Sequence, residues 1–397
     1  MHLFFKRNRP AIANIFLTTL SGIKYGELTV TTPEKEVVNF KGTEPGPAAA
    51  ITINDWKMAK RVVTHGDVGF AEDYIDRNWE TDDLPALLTF CTMNITELEN
   101  FFHGKWATRL LFALRNFLRS NTKKGSRKNI RAHYDLGNDF YQIWLDGTMT
   151  YSSAYFGGEE GLPLEEAQKK KYQRIIDKLA PKKGDHILEI GCGWGGFAEH
   201  AAKAGYHVTG LTLSREQTEF ARVRIKNAGL ESAAEIKILD YRDAKGKFDH
   251  IVSIEMFEAV GEKYWPFYFE AIARLLKKGG RALIQTITID DAIFEDYRKR
   301  SDFIQQYTFP GGALPSQERF IDQVKKAGLT FKEAAAFGQD YVATLKKWLE
   351  KFEEKIDNIR ELGYEEDFLR SWRFYLSYCI AGFATGRTNV IQAEIIN

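Results

Sequence analysis

Cysteine is scarce in this chain: Cys91, Cys192 and Cys379 are the only ones in 397 residues, and they are widely scattered. With no CxxC spacing and no histidine cluster beside them, they exclude a zinc site and a disulfide framework, and they point to a reducing, cytoplasmic compartment. Excess charge is also lacking. Lysines and arginines number 55 against 54 aspartates and glutamates, so there is no global basic field and nucleic acid is not an expected partner. No apolar run approaches the ~20 residues that span a bilayer. Lys6, Arg7 and Arg9 precede the moderately apolar stretch 11–20, but Pro10, Asn14 and two threonines interrupt what would otherwise read as a secretory signal.

What is present is ordinary globular composition, 44% hydrophobic and 27% charged, over a length sufficient for two packed domains. Up to about Asn94, short β-type runs (27–30, 37–40 and 50–53) alternate with turns such as Glu44-Pro45-Gly46-Pro47. This predicts a small α+β unit. A helical stretch over 98–118 follows, and then the basic run 121–131 marks a connector. The expected division is therefore 1–120 and 121–397.

From about Lys182 the pattern becomes buried apolar strands (186–190, 207–213, 235–239, 250–254 and 281–287) separated by segments of helical spacing such as 215–227 and 264–276. Such alternation predicts an α/β domain with a doubly wound, mostly parallel sheet. After Ile287 an insertion rich in aromatics (Phe294, Tyr297, Phe303, Tyr307, Phe309) precedes helices near 316–327 and 344–362, and reads as an apolar-lined cap.

The first of these strands runs straight into Gly191-Cys192-Gly193-Trp194-Gly195-Gly196. Glycines there let the backbone approach a ligand, although a glycine-rich turn alone would equally suit a dinucleotide or no ligand at all. The spacing is not that of a dinucleotide fingerprint, and Glu189 stands where a carboxylate can meet a cation. S-adenosylmethionine, with its amino group and sulfonium, matches that charge.

Several ordered motifs sharpen this reading. Glu189-Ile-Gly-Cys-Gly-Trp-Gly-Gly196, His133-Tyr134-Asp135-Leu136-Gly137-Asn138-Asp139-Phe140-Tyr141, Met149-Thr150-Tyr151-Ser152 and Phe309-Pro310-Gly311-Gly312 resemble the cyclopropane-fatty-acyl-phospholipid synthase family from about Asn129 onward. The resemblance implies a Rossmann-like methyltransferase fold. It also places Tyr151, Ser152, Gly191, Gly193, Thr212, Leu213, Gln217, Tyr241 and Ile254 at cofactor-contacting positions. Hydroxyl and amide groups at Thr212 and Gln217 suit a ribose or an amino acid end.

The implied reaction is methyl transfer to a cis alkene of a phospholipid acyl chain. A carbocation results, and loss of a proton from the added methyl closes a cyclopropane. In the family a bound bicarbonate takes that proton. The resemblance assigns its binding to Glu258, Tyr341 and Ile287, and also to Ser153 and Gln285, where the family usually has cysteine and histidine. A serine changes little if the backbone does the binding. Gln285 can donate to an anion but cannot become cationic. Glu255 is an added carboxylate: it could stabilise the cation, repel bicarbonate, act as the base, or be a salt-bridged surface group. Loss of a different proton would give a methylene- or methyl-branched chain, and a decayed site would leave a non-catalytic lipid-binding relative.

Tyr134 is expected to line the acyl pocket. The segment 101–119 interleaves Trp106, Leu110, Phe112 and Phe117 with Lys105, Arg109, Arg115 and Arg119. It suits either an anionic membrane surface or an internal helix with snorkelling arginines. The expected partner is phospholipid at the inner membrane surface, met peripherally. The sequence leaves oligomeric state open and admits a homodimer.

Overall fold

A computed structural model describes residues 9–102, 136–159 and 161–397. The segment that carries the basic and aromatic run, together with His133, Tyr134 and Asp135, lies outside the described residues. The chain forms two compact units that interleave in sequence. Of the described residues, the first takes in 9–102, 299–308 and 360–386, and the second 136–159, 161–298, 309–359 and 387–397.

The first unit is built on a four-stranded sheet. Strands β1 (Tyr25–Thr31), β2 (Val37–Lys41), β3 (Glu44–Ile53) and β4 (Trp79–Glu80) lie in the order β2-β1-β3-β4. Among the described residues its N-terminal part also holds helices Ala11–Leu20, Lys57–Ile75 (kinked at Gly66), Leu84–Met93 and Ile95–Phe102. Asn94 is fully buried at its centre: Oδ1 accepts from the Lys24 and Tyr25 amides at 2.8 and 2.9 Å, and Nδ2 donates to the Tyr25 and Phe90 carbonyls. Helix Glu366–Ala384 joins this unit through Arg370, whose guanidinium donates twice to the Tyr74 carbonyl and lies 4.0 Å from the Tyr74 ring. Part of the aromatic insertion belongs here too. Phe303 is buried 4.9 Å from Phe374, and Tyr307 donates to Glu72.

The second unit is a seven-stranded sheet. Its strands are β5 (His186–Ile190), β6 (His207–Thr212), β7 (Ala234–Ile238), β8 (Phe248–Ile254), β9 (Leu276–Ile289), β10 (Thr330–Ala336) and β11 (Thr388–Ile396), in the order β10-β11-β9-β8-β5-β6-β7. Strands β5 to β9 pair in parallel, whereas β11 runs antiparallel to both β9 and β10. The expected helix over 215–227 is present as Arg215–Asn227, capped by Ser214, whose hydroxyl accepts from the Gln217 amide. The single helix expected over 344–362 is instead two, Gly338–Glu354 and Ile356–Glu361, because the backbone leaves helical geometry at Lys355.

The chain winds outward through β5, β6 and β7 and then returns to place β8 on the other side of β5. That reversal opens a crevice at the carboxyl ends of β5 and β8, the position where doubly wound sheets bind ligands.

Candidate active site

Two loops enter the crevice. After β5, Gly191 adopts a φ of 83°, and an added Cβ would lie 2.6 Å from Met256 Cγ, so both its backbone conformation and its neighbour require glycine. The Gly191 and Cys192 amides both donate to the Leu211 carbonyl at 2.9 Å, which ties the turn to β6. After β8, Glu255 is a non-glycine residue at a φ of 48°, a conformation that costs on the order of 1 kcal/mol. Its own amide donates to the Gln285 carbonyl at 2.8 Å and holds the turn against β9.

The consequence is where the Glu255 side chain goes. Its Oε1 accepts from the Ser153 amide at 2.9 Å and from Gln285 Nε2 at 2.7 Å, while Oε2 accepts from the Tyr341 hydroxyl at 2.7 Å. Three residues expected to surround a bicarbonate thus surround a protein carboxylate. Glu258 is held separately. Its Oε1 accepts from Thr286 Oγ1 at 2.9 Å and from the Ile287 amide, and its Oε2 is enclosed with no hydrogen-bond partner. Burial and then the charge of Glu255 push Glu258 up from the usual carboxylate range. Burial raises Glu255 as well, opposed by Lys171 and by the three donors. The three donors favour the charged form of Glu255 over that of Glu258. The Phe309–Gly312 motif docks beside this pair, where the Ala313 amide donates to the Glu258 carbonyl at 2.9 Å.

Lys171 lies on helix Leu164–Leu179 with none of its surface exposed, and its Nζ donates to Ser152 Oγ at 2.7 Å. Burial drives its ammonium down to about 7, against the opposing charges of Glu255, Asp146 and Glu189. Glu189, at the end of β5, is pushed up to about 8 by burial, with Lys171 opposing. One of its oxygens, Oε2, is buried without a hydrogen-bond partner. An orphaned carboxylate oxygen beside a turn whose backbone is open to a ligand fits a cationic group of S-adenosylmethionine.

The remaining cofactor candidates line the same sheet edge. Thr212 Oγ1 donates to Gln217 Oε1 at 2.9 Å, with Leu213 between them half-buried. Tyr241 follows β7, packs 5.5 Å from the Tyr268 ring and keeps part of its surface exposed. Ile254, Gly191 and Gly193 are also partly exposed. Tyr151 is positioned by an aromatic box, 5.4 Å from Tyr141, 5.7 Å from Trp144 and 5.3 Å from Trp348. Ser152 is fixed on both sides, since Gln168 Nε2 donates to its carbonyl at 3.0 Å.

Sequence reasoning passed over Lys171 and Gln168. Lys171 sits in the run Lys169-Lys170-Lys171, which reads as a solvated face. The signal that could have found it is its helical spacing, four residues from the buried Ala167 and four from the buried Ile175.

The family model for mycolic acid cyclopropane synthetase matches residues 121–393. A tuberculostearic acid methyltransferase of Mycobacterium tuberculosis is 38% identical over 347 residues, covering 85% of this chain and 81% of its own. The cyclopropane-fatty-acyl-phospholipid synthase of Escherichia coli K12 is 36% identical over 352 residues, covering 87% and 86%. Among solved structures, mycolic acid cyclopropane synthase CmaA1 complexed with SAH and CTAB aligns with a TM-score of 0.64 at 29% identity, over 68% of this chain and 98% of that one.

Proposed function

Because this chain belongs to the mycolic acid cyclopropane synthetase family and is an S-adenosylmethionine-dependent methyltransferase, we propose that it methylates the cis double bond of an unsaturated acyl chain in a phospholipid. The cofactor, when bound, supplies an electrophilic methyl group. Glu189 would meet its cationic end, the Gly191 and Gly193 backbone would pass beneath it, and Thr212, Gln217 and Tyr241 would hold its polar groups. Tyr151, Ser152, Leu213 and Ile254 complete the set.

The observation that carries the reading is the placement of Glu255. The alkene π electrons form the new carbon–carbon bond to the methyl as its bond to sulfur breaks, which leaves a carbocation on the neighbouring chain carbon. An apolar surround must keep water from it, and a base must remove one proton. Glu255 is a carboxylate already seated on three donors, the Ser153 amide, the Gln285 side chain and the Tyr341 hydroxyl. With those donors engaged, bicarbonate does not fit the cradle, and Glu255 performs the deprotonation itself. Thr286 and the Ile287 backbone amide hold the second carboxyl, that of Glu258, alongside.

Ring closure, by loss of a proton from the transferred methyl, is the outcome that the resemblance carries. A second reading is favoured by Glu255 being covalently tethered: a fixed base removes the proton that faces it. Loss of a proton from a flanking chain carbon would leave a methyl-branched alkene, and a hydride shift onto the cationic carbon followed by loss of a proton from the methyl would leave a methylene. All of these products have the same mass. The test is to incubate the protein with oleoyl phospholipid vesicles and methyl-labelled cofactor and to take proton spectra of the released acyl chains. Upfield cyclopropyl signals support ring closure, vinylic signals support branching, and unlabelled acyl chains overturn the proposal.

We also propose that the substrate is met at a membrane surface through the basic and aromatic stretch around residues 101–131. Among the described residues no helix is long and apolar enough to cross a membrane. Charge-reversing substitutions at Arg115 and Arg119 that leave liposome binding unchanged would remove this part.

A further inference from the structure

A primary amide has a donating end and an accepting end, and which end Gln285 turns toward Glu255 decides the state in which that carboxylate rests. With Nε2 facing it, the amide stabilises the ionised form. With Oε1 facing it, two acceptors would confront each other unless Glu255 kept its proton. Gln285 has none of its surface exposed, so water does not choose for it.

Gln285 Nε2 also donates to the Ser153 carbonyl at 3.3 Å, and the same orientation is imposed from the other side of the residue. Gln392 is paired with Gln285 across β9 and β11 in register, and its Nε2 donates to Gln285 Oε1 at 2.9 Å. Gln392 is itself an amide that could turn either way. Its Oε1, however, accepts from Arg174 Nη1 at 2.8 Å, and a guanidinium can only donate. Arg174 comes from helix Leu164–Leu179, where its guanidinium lies 5.2 Å from the Tyr155 ring.

We propose that Arg174 and Gln392 are positioning residues that set the direction of a hydrogen-bond chain ending on Glu255, so that this carboxylate is held ionised before each turnover. The chain runs one way: guanidinium to amide, amide to amide, amide to carboxylate. It rests on the reading of Glu255 as the base. Among the described residues, the other charged or titratable groups around Glu255 are Lys171 on helix Leu164–Leu179, Tyr341 on helix Gly338–Glu354 and Glu258 in the same loop, with Asp146, and Glu189 of β5, acting on Lys171.

The experiment is the pH profile of kcat for the full chain with oleoyl phospholipid vesicles, with cofactor affinity measured by calorimetry. Gln392→Glu keeps the side-chain volume but presents only acceptors to Gln285, which turns the Gln285 amide around. Arg174→Met removes the permanent donor, and Arg174→Lys restores one. The acidic limb is expected to move up by about one pH unit or more in Gln392→Glu and by less in Arg174→Met, with Arg174→Lys returning toward wild type and cofactor affinity unchanged. A uniform loss of rate with the limb in place, or a loss of cofactor affinity, overturns the proposal. Glu255→Gln separates the two levels. If it keeps the wild-type limb, the base reading itself fails; if it abolishes the limb while the Arg174 and Gln392 variants leave it unmoved, only the relay fails.

Discussion

Tyr341 donates its phenolic hydrogen to Glu255 Oε2 at 2.7 Å, across 86 residues of sequence, and so closes the third side of a cradle around a carboxylate that the chain supplies for itself. A catalytic base bound from solution can be lost or exchanged; one built into the end of β8 cannot. That difference can be tested directly.

Glu255→Gly removes the carboxylate while keeping a residue that tolerates the φ of 48°. The Ser153 amide, the Gln285 amide and the Tyr341 hydroxyl are then left to converge on a space where a small anion can sit. Turnover is expected to fall about a hundredfold or more and to recover in part when bicarbonate or formate is added, with no such response in the wild type. Indifference of the variant to both anions would remove Glu255 as the base.

Glu189 makes folding depend on pH in a defined direction. Its folded pKa of about 8 lies above the ordinary 4.5, so its contribution is fully present below about 4.5 and is lost as pH rises toward 8. Each unit corresponds to about 1.4 kcal/mol. Glu189→Gln is expected to match the wild type near pH 4.5 and to melt at a higher temperature at pH 9 in the absence of cofactor. Calorimetry should show a weaker affinity for S-adenosylmethionine, about tenfold or more, because a buried charge opposite a cation is gone. Parallel melting curves at both pH values would contradict the assignment.

Gly191→Ala faces two separate penalties, the left-handed backbone and the contact with Met256. The first costs about 1–2 kcal/mol and cannot be relieved by a neighbour. Adding Met256→Gly, which removes both the Cγ and the Cβ within 3 Å of the new methyl, should therefore restore only part of the lost stability in a denaturant titration. Full restoration would mean that the backbone at this turn is under no constraint.

In the first unit, Asn94→Ala strips partners from the buried Lys24 and Tyr25 amides. Leaving buried donors unmet costs about 1–3 kcal/mol each. Hydrogen exchange at those two amides should accelerate, and an unchanged exchange rate would show that water already serves them.

Of the parallel strands, β5, β6 and β8 were legible because they are buried along most of their length and read as near-continuous apolar runs, whereas β7, at the sheet edge, reads as an alternation, Ala-Glu-Ile-Lys-Ile. Strands β10 and β11 were not legible. β10 is Thr-Phe-Lys-Glu-Ala-Ala-Ala, which local preference assigns to a helix. β11 carries Gln392 and Glu394, both buried, and their partners are distant: Gln285 and Arg174 for one, Arg281 and Lys332 for the other. Long-range pairing makes those polar residues acceptable inside, and nothing local announces it. The same holds at the site. Glu258, Tyr341 and Gln285 could be found by motif, but the role of Glu255 stayed open, because its partners Ser153 and Tyr341 lie 102 and 86 residues away.

The sheet order has a consequence for how the molecule assembles. β11 is the last strand in sequence, yet it lies between β9 and β10. Until it arrives, β10 has no strand to pair with and the exposed flank of β9 stays open. A nascent chain halted before Thr388 would therefore hold the parallel strands and the glycine turn while lacking Gln392, so Gln285 would have nothing to orient it. Formation of these non-local ladders is expected to be the slow step of folding, and the onset of turnover in a refolding experiment should follow β11 rather than the earlier helices.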